Sequence, residues 1–208
     1  MTRPHLQRTA LPAALPLALA TALLLAACGS SDGDQDHDHQ ADTIDSAGRL
    51  AVFDAVSPAV RIHDLDQALA VEATHATDHP ASAIYASPKQ RYAVLYQASG
   101  NQIQFVDGGL WQEDHGDHLH DYRQASRPMS WRLAGPRPSH YNLQAGRQAA
   151  IFMDGDAGAS RNAAIHLIDD AGIARGEALA STELTLPIHG LAVPLDDQLV
   201  TVGRAADA

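Results

Sequence analysis

Three stretches of the chain repeat one another. Pro80-Ala81-Ser82-Ala83-Ile84-Tyr85 precedes Arg91-Tyr92-Ala93-Val94-Leu95-Tyr96 and then Gln102-Ile103-Gln104-Phe105-Val106-Asp107. Pro138-Ser139-His140-Tyr141 precedes Gln148-Ala149-Ala150-Ile151-Phe152-Met153 and then Ala164-Ile165-His166-Leu167-Ile168-Asp169. Pro187-Ile188-His189-Gly190-Leu191-Ala192 precedes Gln198-Leu199-Val200-Thr201-Val202. The starts at 80, 138 and 187 lie 58 and 49 residues apart, the first spacing being stretched by an insertion at 109–125. Each unit is a set of short alternating apolar runs cut by Gly, Pro, Asn and Asp, which is a strand pattern. A period near 50 with several strands per unit predicts a β-propeller. A β-sandwich is the rival, and it leaves the recurring proline-led starts unexplained. No part of 49–208 carries a 3.6-residue apolar stripe; 66–73, DQALAVEA, comes nearest to a helix. The fold class expected is all-β, a partial β-propeller with about two and a half to three blades of a roughly seven- or eight-bladed whole. A partial ring has unpaired edges, so the reading favours a truncated product, with completion by a second copy as the alternative.

Composition narrows the function. Of 208 residues, 45% are hydrophobic and 19% charged, which is globular composition. A formal net charge of -11 excludes a large basic patch, so no nucleic-acid partner is expected. The chain has 12 histidines and 1 cysteine. One cysteine excludes an internal disulfide and a thiolate-rich metal site. Histidine is the commonest metal ligand.

Residues 1–27 read as a signal peptide. Arg3 and Arg8 precede the apolar run 10–27, and Leu25-Ala26-Ala27-Cys28 closes it. This resembles a bacterial lipoprotein signal, which implies lipidation of Cys28 and anchoring of the mature chain to a membrane by acyl chains. The location expected is periplasmic or otherwise extracytoplasmic. Residues 28–48 read as a disordered, acidic and histidine-rich tether, and 49–208 as the incomplete propeller. In the tether, His37 and His39 stand among Asp32, Asp34, Asp36 and Asp38. Such a mobile set can collect a divalent metal weakly, or serve only as a solvated spacer.

The insertion carries the densest ligand pattern. His115, His118 and His120 are spaced H-x2-H-x-H, with Glu113, Asp114, Asp117 and Asp121 beside them. On a loop, at least two of these imidazoles can converge on one ion, and the carboxylates can ligate or hold a ligand's second ring nitrogen. Nitrogen ligands without thiolate suit Zn2+ first, with copper and nickel as alternatives. The repeat adds His140 and His189. Aligned with Ser82, they occupy an innermost strand and would face the channel. The expectation is one site in which these two meet the 115–120 loop. His63 and His166 read as structural strand residues, His75 and His79 as turn residues, and Asp154-Gly155-Asp156 as a hairpin turn. Trp111 and Trp131 read as packing groups.

The set GGLWQEDHGDHLHDY, GPRPSHY, AAIFMDGD and LPIHGLAV resembles the periplasmic zinc metallochaperones of the AztD type, from about residue 50 onward. The resemblance implies a propeller that binds zinc and passes it to the solute-binding protein of an ABC importer. It also implies His115, His118, His120, His140 and His189 as candidate ligands. A lipid anchor is not part of what it implies. Two other readings stand beside it. A metal-independent surface binding module explains the fold and leaves the histidines unused. A zinc-dependent hydrolase, with Glu113 as base, lacks a nucleophile motif and a substrate-pocket signal. The chain is therefore read as a non-enzyme.

Overall fold

A computed structural model describes residues 46–114, 116–117, 119–155, 162–184, 188–195 and 198–205. The signal region, Cys28, His37, His39, His115 and His118 lie outside the described residues. Among those described, no helix is long and apolar enough to cross a membrane.

Among the described residues every sheet is antiparallel, and all but one are built from consecutive strands. The first has order β1 (Arg49–Phe53), β2 (Ala59–Asp64), β3 (Ala70–Ala76). The second runs through β4 (Ala83–Ala86), β5 (Tyr92–Gln97) and β6 (Gln102–Asp107). The chain then leaves in a separate hairpin, β7 (Leu110–Asp114) and β8 (Leu119–Arg123), and returns as β9 (Arg127–Ala134) beside β6. The third is β10 (Arg137–Gln144), β11 (Gln148–Asp154), β12 (Ala164–Ile168) and β13 (Ala180–Glu183), with the short helix α1 (Asp170–Arg175) before its last strand. β14 (Ile188–Leu195) and β15 (Gln198–Ala205) form a two-stranded sheet. The segment 66–73 is no helix: a 3-10 turn at Leu65–Gln67 leads into β3.

Alternation in the second strand of each sheet makes these sheets stack. On β5, Tyr92, Val94 and Tyr96 point toward the third sheet, while Ala93 and Leu95 point toward the first. On β11, Ala149, Ile151 and Met153 face the second sheet, and Ala150 and Phe152 face β14. Both faces are covered, so β5 and β11 are apolar nearly throughout, with β5 buried along its whole length. Sheets joined in sequence and packed face to face are propeller blades. The fold is thus a partial β-propeller. Leu50 and Val52 on the first blade, and Leu191, Val193 and Val202 on the fourth, are exposed apolar side chains.

The repeat also fixes which strand is which. Asp64, Asp107 and Asp169 each end or follow a third strand and accept a backbone N–H just beyond it: from Asp66 at 2.9 Å, Gly109 at 2.9 Å and Gly172 at 2.7 Å. Opposite them, Arg49 pairs with Asp64 as Tyr92 pairs with Asp107. Leu65 donates to the Gly48 carbonyl at 3.1 Å as Gly108 donates to that of Arg91 at 2.8 Å. β1 is therefore the counterpart of β5, the second strand of a blade.

Asp170 links two blades. Its carboxylate accepts from the Ser87 hydroxyl at 2.8 Å and the Lys89 amide at 2.9 Å, and it is 9% exposed. Asp170→Ala would leave both donors without this partner at a closed interface. The expected cost is about 1–3 kcal/mol, read as a lower urea midpoint.

Candidate metal centre

β10 and β14 are the innermost strands of neighbouring blades. The Asn142 side chain ties them by donating to the Ala192 carbonyl at 2.7 Å. From these strands His140 and His189 face each other, with their Nε2 atoms 3.4 Å apart. Their ring planes are inclined at 55° and the ring centres lie 5.1 Å apart. Two imidazoles on one tetrahedral zinc, each with a bond of about 2.0–2.1 Å, hold their nitrogens roughly 3.3–3.4 Å apart. The pair already has that spacing.

Asp154, at the end of β11, orients it. The Nδ1–H of His189 donates to Asp154 Oδ2 at 2.8 Å, and Arg137 Nη2 donates to the same oxygen at 3.0 Å. Burial opposes ionisation of Asp154, but its polar neighbours Ser139, His189 and Arg137 outweigh burial and hold the carboxyl below the usual carboxylate range. With the carboxylate ionised, the His189 proton sits on Nδ1, and Nε2 presents a lone pair. With Nε2 of His189 as acceptor, the 3.4 Å contact is satisfied by the His140 tautomer that carries its one proton on Nε2. To offer Nε2 to a metal, neutral His140 would carry that proton on Nδ1 instead.

The backbone beneath is stiff. Tyr96, buried, donates its hydroxyl to the His140 carbonyl at 2.9 Å. Burial pushes its pKa far up, so it stays a donor. Tyr85 stacks on Tyr141, the next residue of β10, at 4.7 Å, and Tyr141 donates to the Ala86 carbonyl at 2.7 Å.

The position matching of Ser82 with His140 shifts by one residue. Ser82 Oγ donates to the Tyr96 carbonyl at 3.1 Å, and Ser139 Oγ donates to the carbonyl of Phe152, the counterpart of Tyr96, at 3.0 Å. The two prolines are not equivalent: Pro138 stands two residues before His140, and Pro80 three before Ala83. Ser82 thus matches Ser139, and His140 matches Ala83.

The insertion is a hairpin, with Leu110 opposite Arg123 and Asp114 opposite Leu119. Trp111 stacks on Tyr122 at 4.9 Å and lies under the Arg91 guanidinium at 3.7 Å. Arg49 holds the hairpin's base through the carbonyls of Gly108 and Gln124. It emerges beside Arg91, at the rim of the second blade, whereas His140 stands at mid-strand on β10. His120 projects from β8, 6.4 Å from the Tyr122 ring, and Asp117 lies in the turn. Among the described residues no three His, Cys, Asp or Glu side chains form a group that could hold a metal. The structure therefore brings His140 and His189 together and does not bring His120 to them.

Three other described histidines have local partners. His63 Nδ1 meets the Leu69 carbonyl at 2.8 Å, and His75 Nε2 meets the Ser126 hydroxyl at 2.9 Å. His166 bonds Ser181 Oγ at 2.8 Å, and burial lowers its pKa. The unfolded chain then takes up this proton first, so stability is complete above about pH 6.5 and declines as pH falls below it. His166→Gln is expected to flatten the fall in Tm between roughly pH 7.5 and 5. An unchanged slope would remove His166 as its source. Asp154, read in the sequence as part of a hairpin turn, ends β11 opposite Arg137 and accepts from His189, a contact the sequence reading did not foresee.

No known family pattern matches the chain by sequence, and no curated protein does. Solved structures do. AztD from Citrobacter koseri superposes with a TM-score of 0.61 at 24% identity, over 74% of this chain and 39% of that one. The chain shares the AztD fold. The apo form of the same AztD gives 0.60 and 22% over the same shares. The chain spans about two fifths of the AztD chain it matches, and the likeness to AztD establishes architecture alone.

Proposed function

We propose that this protein is an extracytoplasmic zinc-binding chaperone of the AztD kind, which holds zinc as cargo and hands it to the solute-binding protein of an ABC importer. The carrying observation is the His140–His189 pair, spaced at 3.4 Å and braced by Asp154. Two neutral nitrogens with a charged carboxylate behind them make a borderline-soft site suited to zinc. Two protein ligands leave two tetrahedral positions for water or an incoming donor, which is what a carrier requires. The resemblance seen in the sequence, the AztD fold and the histidine count support the same reading. The lipoprotein-type Cys28 would keep the carrier at a membrane. His115, His118 and His120, with Asp117, and the tether's His37 and His39 are proposed as weaker, separate collecting groups.

The test is transfer. Zinc-loaded protein is mixed with a metal-free solute-binding protein and the partners are separated. Movement of zinc faster than free exchange supports the reading; zinc that moves only through solution rejects delivery. The second reading, a metal-independent binding module, uses the His140–His189 contact as a plain N–H···N bond between blades. It predicts no zinc uptake and a lower Tm on losing either ring.

A further inference from the structure

Arg137, Asp154, His189 and His140 form one line of contacts, 3.0, 2.8 and 3.4 Å long in turn. Arg137 and Asp154 stand opposite each other on β10 and β11. The Asp154 side chain is enclosed, 4% exposed, whereas that of Arg137 is 65% exposed. The guanidinium and the His189 Nδ1–H both donate to one oxygen, Asp154 Oδ2. A guanidinium carries its charge throughout the working pH range. Arg137 therefore sets a full positive charge on the oxygen that backs His189. The carboxylate does not depend on it to ionise: Ser139 and His189 do more than Arg137 to hold the carboxyl low. The strands do not depend on it either, since β10 and β11 stay paired through the backbone as far as Gln144 and Gln148.

Taking the carrier role as given, we propose that Arg137 restrains the zinc affinity of the His140–His189 pair by cancelling the charge of the carboxylate behind it. With Arg137 in place, the brace orients His189 but adds little net negative charge to attract a dication. Without Arg137, the same carboxylate would back the imidazole with its whole charge. Such restraint suits a carrier, which must give its cargo up. Arg137 acts through Asp154, so it is a positioning residue. The sign separates this role from bracing. Losing a mere brace weakens binding, whereas losing a charge that opposes the ion strengthens it. The exposed guanidinium is screened by solvent and salt, so the effect is modest and salt-dependent.

Zinc competition against a colorimetric chelator tests this on Arg137→Lys, Arg137→Gln and Arg137→Glu. It is run at about 0.01 M and about 1 M salt, between which the screening length falls from about 30 to about 3 Å. At low salt Arg137→Gln is expected to tighten binding by about 3–10-fold and Arg137→Glu by more, while Arg137→Lys keeps most of the restraint. At high salt the spread is expected to shrink to about twofold or less. The ranking is expected to vanish when His140 and His189 are both alanine. Tm, measured on the same samples, is expected not to rise in Arg137→Gln, so its tighter binding does not come from a firmer fold. Three results overturn the proposal: equal or weaker binding by Arg137→Gln and Arg137→Glu, a ranking that salt leaves unchanged, or one that survives loss of both histidines. Wild-type protein that takes up no zinc overturns the carrier role itself, and the restraint with it.

Discussion

Phe105→Ala is expected to lower stability by about 3–5 kcal/mol. Phe105 is fully buried on β6 and stacks on Trp131 of β9, with centroids 4.8 Å apart and planes within 3°. It belongs to the cluster that joins the second and third blades, with Tyr92, Val94, Met153 and Ile173 around it. Truncation opens a cavity between sheets that their own hydrogen-bonded ladders keep from collapsing. The aromatic contact, worth about 0.5–1.5 kcal/mol beyond burial, is lost as well. Urea unfolding of the wild type and the variant measures the difference. A loss below about 1 kcal/mol would mean the two blades are not packed through this cluster.

His189→Ala is expected to weaken zinc binding by roughly 100-fold or more. It removes one of two nitrogens set at zinc spacing and leaves the Asp154 carboxylate without its imidazole partner. Asp154→Asn should be milder, about 10–100-fold, because the ring remains and only its orientation and basicity suffer. Competition against a colorimetric zinc chelator gives both values. Replacing His120, which stands apart from the pair, should change the pair's affinity far less. An order reversed between His189 and His120 would move the tight site to the hairpin.

The sequence revealed the architecture through its most strictly buried strands. β5 and β11 must face two neighbours, so Tyr92–Gln97 and Gln148–Asp154 are apolar on both sides and show the repeat plainly. β1 carries the same role with its burial alternating, which hides the correspondence until the cross-strand pairings are known. The meeting of His140 with His189 was legible because the proline-led starts mark innermost strands. The exact match of positions was not, because the prolines that set the alignment stand three residues before Ala83 and two before its counterpart His140. Asp154 was concealed by its own surroundings: Asp-Gly-Asp is turn chemistry in any context, and only the register with Arg137 and the reach of His189 give it a second task. The hairpin at 110–123 reads as a ligand-rich loop in one dimension. In three, Trp111, Tyr122 and Arg91 fasten it to the second blade's rim, away from the pair.

X-ray absorption at the zinc edge tests the central claim most directly, on protein loaded with one equivalent of zinc and on the His140→Ala, His189→Ala double variant. Two imidazole nitrogens at about 2.0–2.1 Å in the wild type, absent from the double variant, are predicted. A wild-type spectrum that the double variant reproduces would place the metal elsewhere and contradict the account.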